Sequence, residues 1–242
     1  MGQRESVSLN PREIYQYLNL IKTRYQFGIT EPVYIIQRKT IEVINTLPSV
    51  KIHSAEIHNV SPESYTALKD CLLQNYRFIV VPVFLLNYHI LQGHMNAMII
   101  DTQTKEVERF EPYGTKYKNI ILRNIDIDQY IQNYLKNYLL LKITQGSSPN
   151  HRYYTYHPPR EYCSRGPQAR EIWVPRGWFR YKGGFCAYWV LYYVAMRLNN
   201  PDSTRNQIIK YFDSFGISES FNQIVKFRRK INLQHVDIHE YK

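Results

Sequence analysis

The sequence predicts an α+β protein, with helices toward both ends of the chain and a β region in the middle. Three observations predict it. The run Arg77-Phe78-Ile79-Val80-Val81-Pro82-Val83-Phe84-Leu85-Leu86 is rich in β-branched and aromatic residues, as a buried strand requires. Residues 93–110 read as a hairpin, two strand patterns joined by the polar turn Thr102-Gln103-Thr104-Lys105. An unbroken apolar pattern of helical length follows Gly183-Gly184-Phe185-Cys186 and stops at Asn199-Asn200-Pro201. With no internal repeat and no linker, the expectation is one globular unit: a core over residues 76–242 and an N-terminal helical extension over residues 1–75 packed on it.

Residues 1–10 read as a loose arm. Asn10-Pro11-Arg12-Glu13 then supplies a cap residue, a proline at the first helical position and an acid in the first turn. Ile14, Tyr17, Leu18 and Ile21 recur on one face of the helix that follows, through about Tyr25. Residues 27–60 mix the β-branched runs Val33–Ile36 and Ile41–Ile44 with Pro32 and Pro48, a pattern that decides neither helix nor strand. Ser61-Pro62-Glu63-Ser64 opens a second helix with Tyr65, Leu68, Leu72 and Leu73 inward and Cys71 in its core. Pro82 places a bulge or an edge in the first central strand. His94, Asn96, Met98 and Ile100 share one face of the hairpin's first strand, and Glu111-Pro112-Tyr113-Gly114 ends its second. A helix over 126–139 follows, then a strand over Leu140–Thr144 and a long basic stretch to Gly184. Two amphipathic helices, about 202–215 and 218–231, and a cluster Lys226-Phe227-Arg228-Arg229-Lys230 complete the chain.

Composition narrows the class. At 242 residues and 44% hydrophobic, the chain is neither fibrous nor disordered. Its 31 Lys and Arg against 20 Asp and Glu give a net charge of +11, a field that draws anionic partners. Part of that charge, Arg152, Arg160, Arg165, Arg170, Arg176, Arg180 and Lys182 against Glu161 and Glu171, lies in the segment leading to Cys186. Cys71, Cys163 and Cys186 include no CxxC pair and point to a reducing, intracellular compartment rather than a disulfide framework. No apolar run reaches the roughly 18 residues of a membrane span, and the start lacks the apolar core of a signal peptide. Met1-Gly2-Gln3-Arg4-Glu5-Ser6 matches the loose N-myristoylation pattern.

Chemistry concentrates on Cys186. In the first turn of a helix, outward N–H groups and the helix dipole favour a thiolate over a thiol. A nucleophilic cysteine also needs an imidazole to take its proton and a third polar group to orient that imidazole. Of the eight histidines, His94 opens a hairpin strand whose pairing would fix its direction. Hairpin geometry brings Glu111, at the far end of the partner strand, beside it, and leaves Asp101 at the turn end, too far along the ladder. Asn96, on the same face, is the alternative orienting group.

These residues carry a resemblance. His94, followed 17 residues later by the acid of Phe110-Glu111-Pro112-Tyr113-Gly114 and then by Gly184-Phe185-Cys186 opening an apolar helix, resembles the adenovirus protease and SUMO/ubiquitin-like cysteine protease superfamily. The similarity spans roughly residues 78–198 and is closest to the adenoviral branch, which suggests a large DNA virus, or alternatively an intracellular bacterium, as the source. The resemblance implies a papain-like core with a central mixed or antiparallel sheet and the nucleophile at a helix N-terminus. It implies a cysteine peptidase or isopeptidase with Cys186, His94 and Glu111 as its catalytic set, acting on proteins at glycine-containing sites, in viral polyprotein maturation or ubiquitin-like deconjugation. Relatives place an oxyanion-binding glutamine about six residues before the cysteine. Here that position is Arg180, and the nearest upstream glutamine is Gln168, 18 residues before Cys186, which takes the role if the intervening loop is longer. No cofactor is expected for the reaction itself, although adenoviral relatives use DNA as an activator.

Two other classes fit parts of the pattern. An acyltransferase uses the same His–acid–Cys core with a hydroxyl or amine acceptor. A catalytically idle nucleic-acid-binding or virion protein would use the basic surface of Arg160, Arg165, Arg170, Arg176, Arg180 and Lys182.

Overall fold

The computed structural model describes residues 9, 11–44, 47–58, 62–87, 92–115, 126–139, 154–173 and 185–234. The Met1–Ser6 pattern, the Leu140–Thr144 strand, Arg152, Arg176, Arg180, Lys182 and the Gly183-Gly184 pair lie outside them.

Among the described residues, seven strands form one mixed sheet: β1 (Gly28–Ile29), β2 (Val33–Ile44), β3 (Leu47–His58), β4 (Phe78–Asn87), β5 (Gln92–Asp101), β6 (Glu106–Phe110) and β7 (Thr155–His157). The order is β3-β2-β4-β5-β6-β7, with β1 pairing β4 as well. The β4–β5 and β5–β6 pairs are antiparallel, and β1–β4, β2–β4 and β6–β7 are parallel. Pro82, expected at an edge or bulge, sits in the central strand β4. It is tolerated because β1 pairs with β4 only to Val80 and β2 only from Val83. The missing N–H thus falls opposite a gap between neighbours.

The helices are α1 (Pro11–Arg24), α2 (Pro62–Leu73), α3 (Ile127–Leu139), α4 (Cys186–Asn199), α5 (Arg205–Ser214) and α6 (Ile217–Gln234), close to their expected positions. The N-terminal segment, however, is not a helical extension. Between α1 and α2 it contributes β1, β2 and β3 to the sheet that carries the site. The β-branched runs Val33–Ile36 and Ile41–Ile44 prevail there, because β4 supplies a partner for the first run and β3 one for the second.

Side-chain alternation gives β4 and β5 two buried faces. Phe78, Val80, Phe84, Met95, Ala97 and Ile99 pack under α1, α4, α5 and α6. Ile79, Val81, Val83, Leu85, Met98 and Ile100 pack under α2 and α3. Helix α4 is apolar all round because it lies between the sheet and the outer helices, with Trp189, Val190, Leu191, Tyr193 and Val194 fully buried.

Two contacts hold α4 along the sheet. Tyr193 stacks on Phe110, with ring centroids 4.0 Å apart and planes 2° from parallel. Buried Glu108 of β6 accepts from Arg197 Nε at 2.7 Å and from Tyr193 OH at 2.9 Å, while Arg197 Nη1 donates to Ser203 O at 2.6 Å. A buried charge that loses its partner is costly. Glu108→Ala, which strands Arg197, is expected to destabilise the fold by about 3–5 kcal/mol in urea unfolding; a loss under about 1 kcal/mol would show that α4 does not depend on this pair.

Candidate active site

Cys186 is the first residue of α4. The first intrahelical bond runs from Trp189 N to Phe185 O at 2.9 Å, so Cys186 lies in the turn whose N–H groups point out of the helix end. His94 lies near the start of β5, at the end of the sheet, where side chains from either face can meet. Its Nε2 is 2.5 Å from Glu111 Oε1, and the ring makes a second hydrogen bond with the Cys186 side chain, for which Nδ1 is the nitrogen that remains. Glu111 follows β6 directly; because Ala97 pairs with Phe110, the next step of the ladder sets Glu111 across from Asn96. Cysteine, histidine and acid, distant in sequence, therefore meet in one chain of contacts.

Asn96 does not orient His94. Its Nδ2 donates to Glu111 Oε2 at 3.0 Å, one step further out. The second acid, Asp101, caps the hairpin turn by accepting from Gln103 N at 2.9 Å and Thr104 N at 3.2 Å. Arg109, Asp128 and Tyr156 continue the chain behind Glu111, and the sequence reading missed all three. Arg109 Nη1 donates to Asn96 Oδ1 and lies 3.8 Å from Glu111 Oε2; its Nε donates to Asp128 Oδ1 at 2.9 Å, and Tyr156 OH donates to the same oxygen at 2.6 Å. The one available signal was Glu108-Arg109 inside a strand pattern: adjacent charges on opposite faces of a central strand each require a buried partner.

These contacts set the charges. Burial alone would drive His94 toward the neutral ring, but the Glu111 carboxylate and the hydrogen bonds to Cys186 and Glu111 push its pKa up from 6.5 to about 10. Burial likewise favours a neutral Glu111, and the His94 charge, the Arg109 charge and the Tyr113 N–H reverse that, holding it below its ordinary 4.5. The resulting state is a buried imidazolium–carboxylate pair next to the Cys186 side chain. Such a set can hold a proton on the ring while the sulfur carries the electron pair for attack.

Gln168 is buried in a 3₁₀ turn, Pro167–Trp173, that packs against α4 and α6. Its backbone N–H donates to Pro112 O at 2.9 Å, and Gly166 N donates to Tyr113 O at 3.0 Å. The turn carrying Gln168 is thus sewn to the turn that follows the acid. Two glycines permit this approach. Gly114 has φ +72°, and a Cβ on it would strike the backbone of Cys163, Arg165 and Gly166; a Cβ on Gly166 would be driven into the Pro112 carbonyl. Among the described residues, the side-chain Oε1 of Gln168 is buried and has no hydrogen-bond partner.

An apolar cavity of about 220 Å³ adjoins the set. Cys186, Ala187, His94 and Met95 form one wall, and Pro11 and Ile14 of α1 form another. Of the basic residues expected to form an anion-binding surface, Arg160 and Arg165 are exposed. Arg170 is committed to the end of α5, donating to Phe212 O and Phe215 O and pairing with Asp213 at 2.7 Å. Among the described residues no helix is long and apolar enough to cross a membrane.

No family model matches the chain. A stretch of 147 residues, 58% of this chain, is 27% identical to a putative ankyrin repeat protein of Acanthamoeba polyphaga mimivirus. The match covers 18% of that protein, so the chain spans about a fifth of this relative's length. Among solved structures, the Chlamydia abortus effector protein ChlaDUB is similar over 76% of this chain and 68% of its own, at 14% identity and a TM-score of 0.39.

Two outcomes follow from the geometry. Gly166→Ala is expected to destabilise the protein by about 2–4 kcal/mol in urea unfolding, because the obstacle is backbone rather than a movable side chain; a neutral effect would show that the two turns are not in contact. The ion pair also imposes a pH window. The raised His94 pKa contributes stability in full below 6.5 and loses it as pH rises toward about 10, whereas the lowered Glu111 pKa contributes above 4.5 and loses it below. The stability difference between wild type and Glu111→Gln is therefore expected to peak between pH 4.5 and 6.5 and to shrink toward pH 10; a difference that stays constant over that range would contradict the pair.

Proposed function

We propose that this chain is a cysteine peptidase or isopeptidase in which Cys186 is the nucleophile, His94 the proton carrier and Glu111 the group that holds His94. The single observation that carries the reading is the His94 ring, buried between the Glu111 carboxylate at 2.5 Å and the Cys186 side chain. Nothing in folding calls for an imidazole, an acid and a thiol to meet at a helix N-terminus, and a buried ion pair contributes little net stability to justify it.

The reaction divides in two. In the first half the Cys186 sulfur, its proton carried by His94, attacks a substrate carbonyl, and the developing oxyanion turns toward the backbone N–H groups at the start of α4. Gln168 is the proposed side-chain donor. In support, its turn packs against α4, and its amide keeps a buried atom without a partner; rotation of a glutamine amide exchanges its oxygen and nitrogen. His94 gives its proton to the leaving amine, so the C–N bond breaks and a thioester remains on Cys186. In the second half His94 takes a proton from water, the hydroxide displaces the sulfur, and the acid product leaves.

Protein substrates with glycine-containing cleavage sites, and a viral setting, complete the proposal. The first comes from the resemblance of the Phe110-Glu111-Pro112-Tyr113-Gly114 and Gly184-Phe185-Cys186 strings, the second from the same resemblance and the mimiviral relative.

Iodoacetamide alkylation between pH 4 and 9, with the adduct located by mass spectrometry, tests the core of the reading. Cys186 is expected to label quickly well below pH 8, and His94→Ala to slow that labelling at pH 6 by about tenfold or more. Cys186→Ala should remove the adduct. Labelling that rises only near pH 8.5, as for an ordinary thiol, and that ignores the His94 substitution would overturn the proposal.

A further inference from the structure

We propose that Arg109 and Asp128 are positioning residues for the set: Asp128 holds the Arg109 guanidinium, and Arg109 with Asn96 keeps the Glu111 carboxylate ionised and turned toward His94. The inference rests on the reading of Cys186, His94 and Glu111 as a reactive set and assigns to that set two residues outside it.

Along the buried chain the groups are the Cys186 sulfur, the His94 ring, the Glu111 carboxylate, the Arg109 guanidinium and the Asp128 carboxylate, each next to one of opposite sign when ionised. Arg109 is only 4% exposed, and its side chain faces Asn96 and Glu111 on one side and Asp128 on the other. A guanidinium is suited to this because its donors form a rigid planar fork that serves two partners at once.

Distances show how the load is shared. Arg109 makes its close contact with Asp128, at 2.9 Å, and stands 3.8 Å from Glu111 Oε2. At that separation its charge keeps Glu111 ionised without capturing the carboxylate. Asn96 fills the interval, accepting from Arg109 and donating to Glu111 Oε2 at 3.0 Å. Glu111 Oε1 is left to His94 Nε2 and Tyr113 N. Without the Asp128 charge, the guanidinium would move onto Glu111 and compete directly with His94.

Asp128 is itself well supported. It lies in the first turn of α3, where the helix dipole favours a negative charge, and Tyr156 OH donates to it at 2.6 Å. The chain therefore runs from α3 on one side of the sheet to α4 on the other. A purely structural ion pair would explain burial and stability, but not why the guanidinium shares a relay with the acid that holds His94.

The protonation of His94 reads the proposal directly. The groups that act on it directly are Cys186 from α4 and Glu111 just after β6; Arg109 of β6 acts on Glu111, and Asp128 of α3 and Tyr156 of β7 act on Arg109, while the Tyr113 ring lies tilted beside the imidazole with centroids 5.1 Å apart. We would titrate the His94 ring nitrogens by NMR in wild type, Asp128→Asn, Asp128→Ser and Asp128→Glu. Thermal unfolding and iodoacetamide labelling of Cys186 would be followed on the same samples. Asp128→Ser serves as the second uncharged variant should Asp128→Asn not fold, since serine suits a helix start and admits water.

The expected result is a His94 midpoint lowered by about one pH unit, a tenfold loss of proton affinity, in either uncharged variant. Asp128→Glu should restore it, and Cys186 labelling at pH 6 should fall and recover in parallel. If the uncharged variants lose stability while the His94 midpoint stays within about 0.3 units of wild type, Arg109 and Asp128 are structural and the inference is overturned. Should wild-type Cys186 label as an ordinary thiol while the His94 midpoint still follows Asp128, the peptidase reading falls and the positioning inference stands.

Discussion

A carboxylate buried in a protein interior is stable as an anion only if donors meet both of its oxygens. Glu111 meets that condition from three directions. His94 and the Tyr113 N–H take one oxygen; Asn96, with Arg109 behind it, takes the other. These donors sit on three pieces of backbone, His94 and Asn96 on β5, Arg109 on β6 and Tyr113 in the turn that follows, so the ionised state of this one group requires β5, β6 and the turn after β6 to be in register together. The orientation of His94 toward Cys186, and with it the chemistry proposed for the thiol, depends on that requirement.

The strand that delivers Glu111 also secures the cysteine helix. Within β6, Glu108 faces α4 and binds Arg197 and Tyr193, while Arg109 on the opposite face binds Asp128 of α3. Adjacent residues of one strand thus tie down both helical layers, and two residues later the same strand ends at the acid. This coupling explains why so short a strand carries charge on both faces at its centre, an arrangement that would be costly without partners on each side. It also means that packing along α4 bears on the placement of Cys186 relative to His94.

The turn after Glu111 has a further role. Gly114 and Gly166 allow two backbone segments to approach more closely than any side chain would permit, and the second segment carries Gln168. In the sequence these glycines look like ordinary turn residues, 52 positions apart. In the structure they join the acid's turn to that of the proposed oxyanion donor, so an insertion between Gln168 and Cys186 need not move the glutamine away from the site. A glutamine out of the expected spacing is therefore compatible with the mechanism, because its place is set by Pro112 and Tyr113 rather than by its distance along the chain from the cysteine.

Local pattern determined a good part of this protein. The β-branched run of β4, the polar turn of the β5–β6 hairpin and the apolar span of α4 are visible in the chain because strand alternation and helix capping act over a few residues. The pairing of His94 with Glu111 is legible for the same reason: both ends of one hairpin are brought together by its own register. Tertiary structure decided what local pattern could not. The segment between α1 and α2 became strands because β4 offered an edge, Asn96 turned to the acid rather than to the imidazole, and Arg109, Asp128 and Tyr156 met behind Glu111 from three separate elements. The physical reason is range. A buried charge dictates that partners must exist, but which residues supply them depends on how sheet and helices stack, and that is settled only when the whole core is packed.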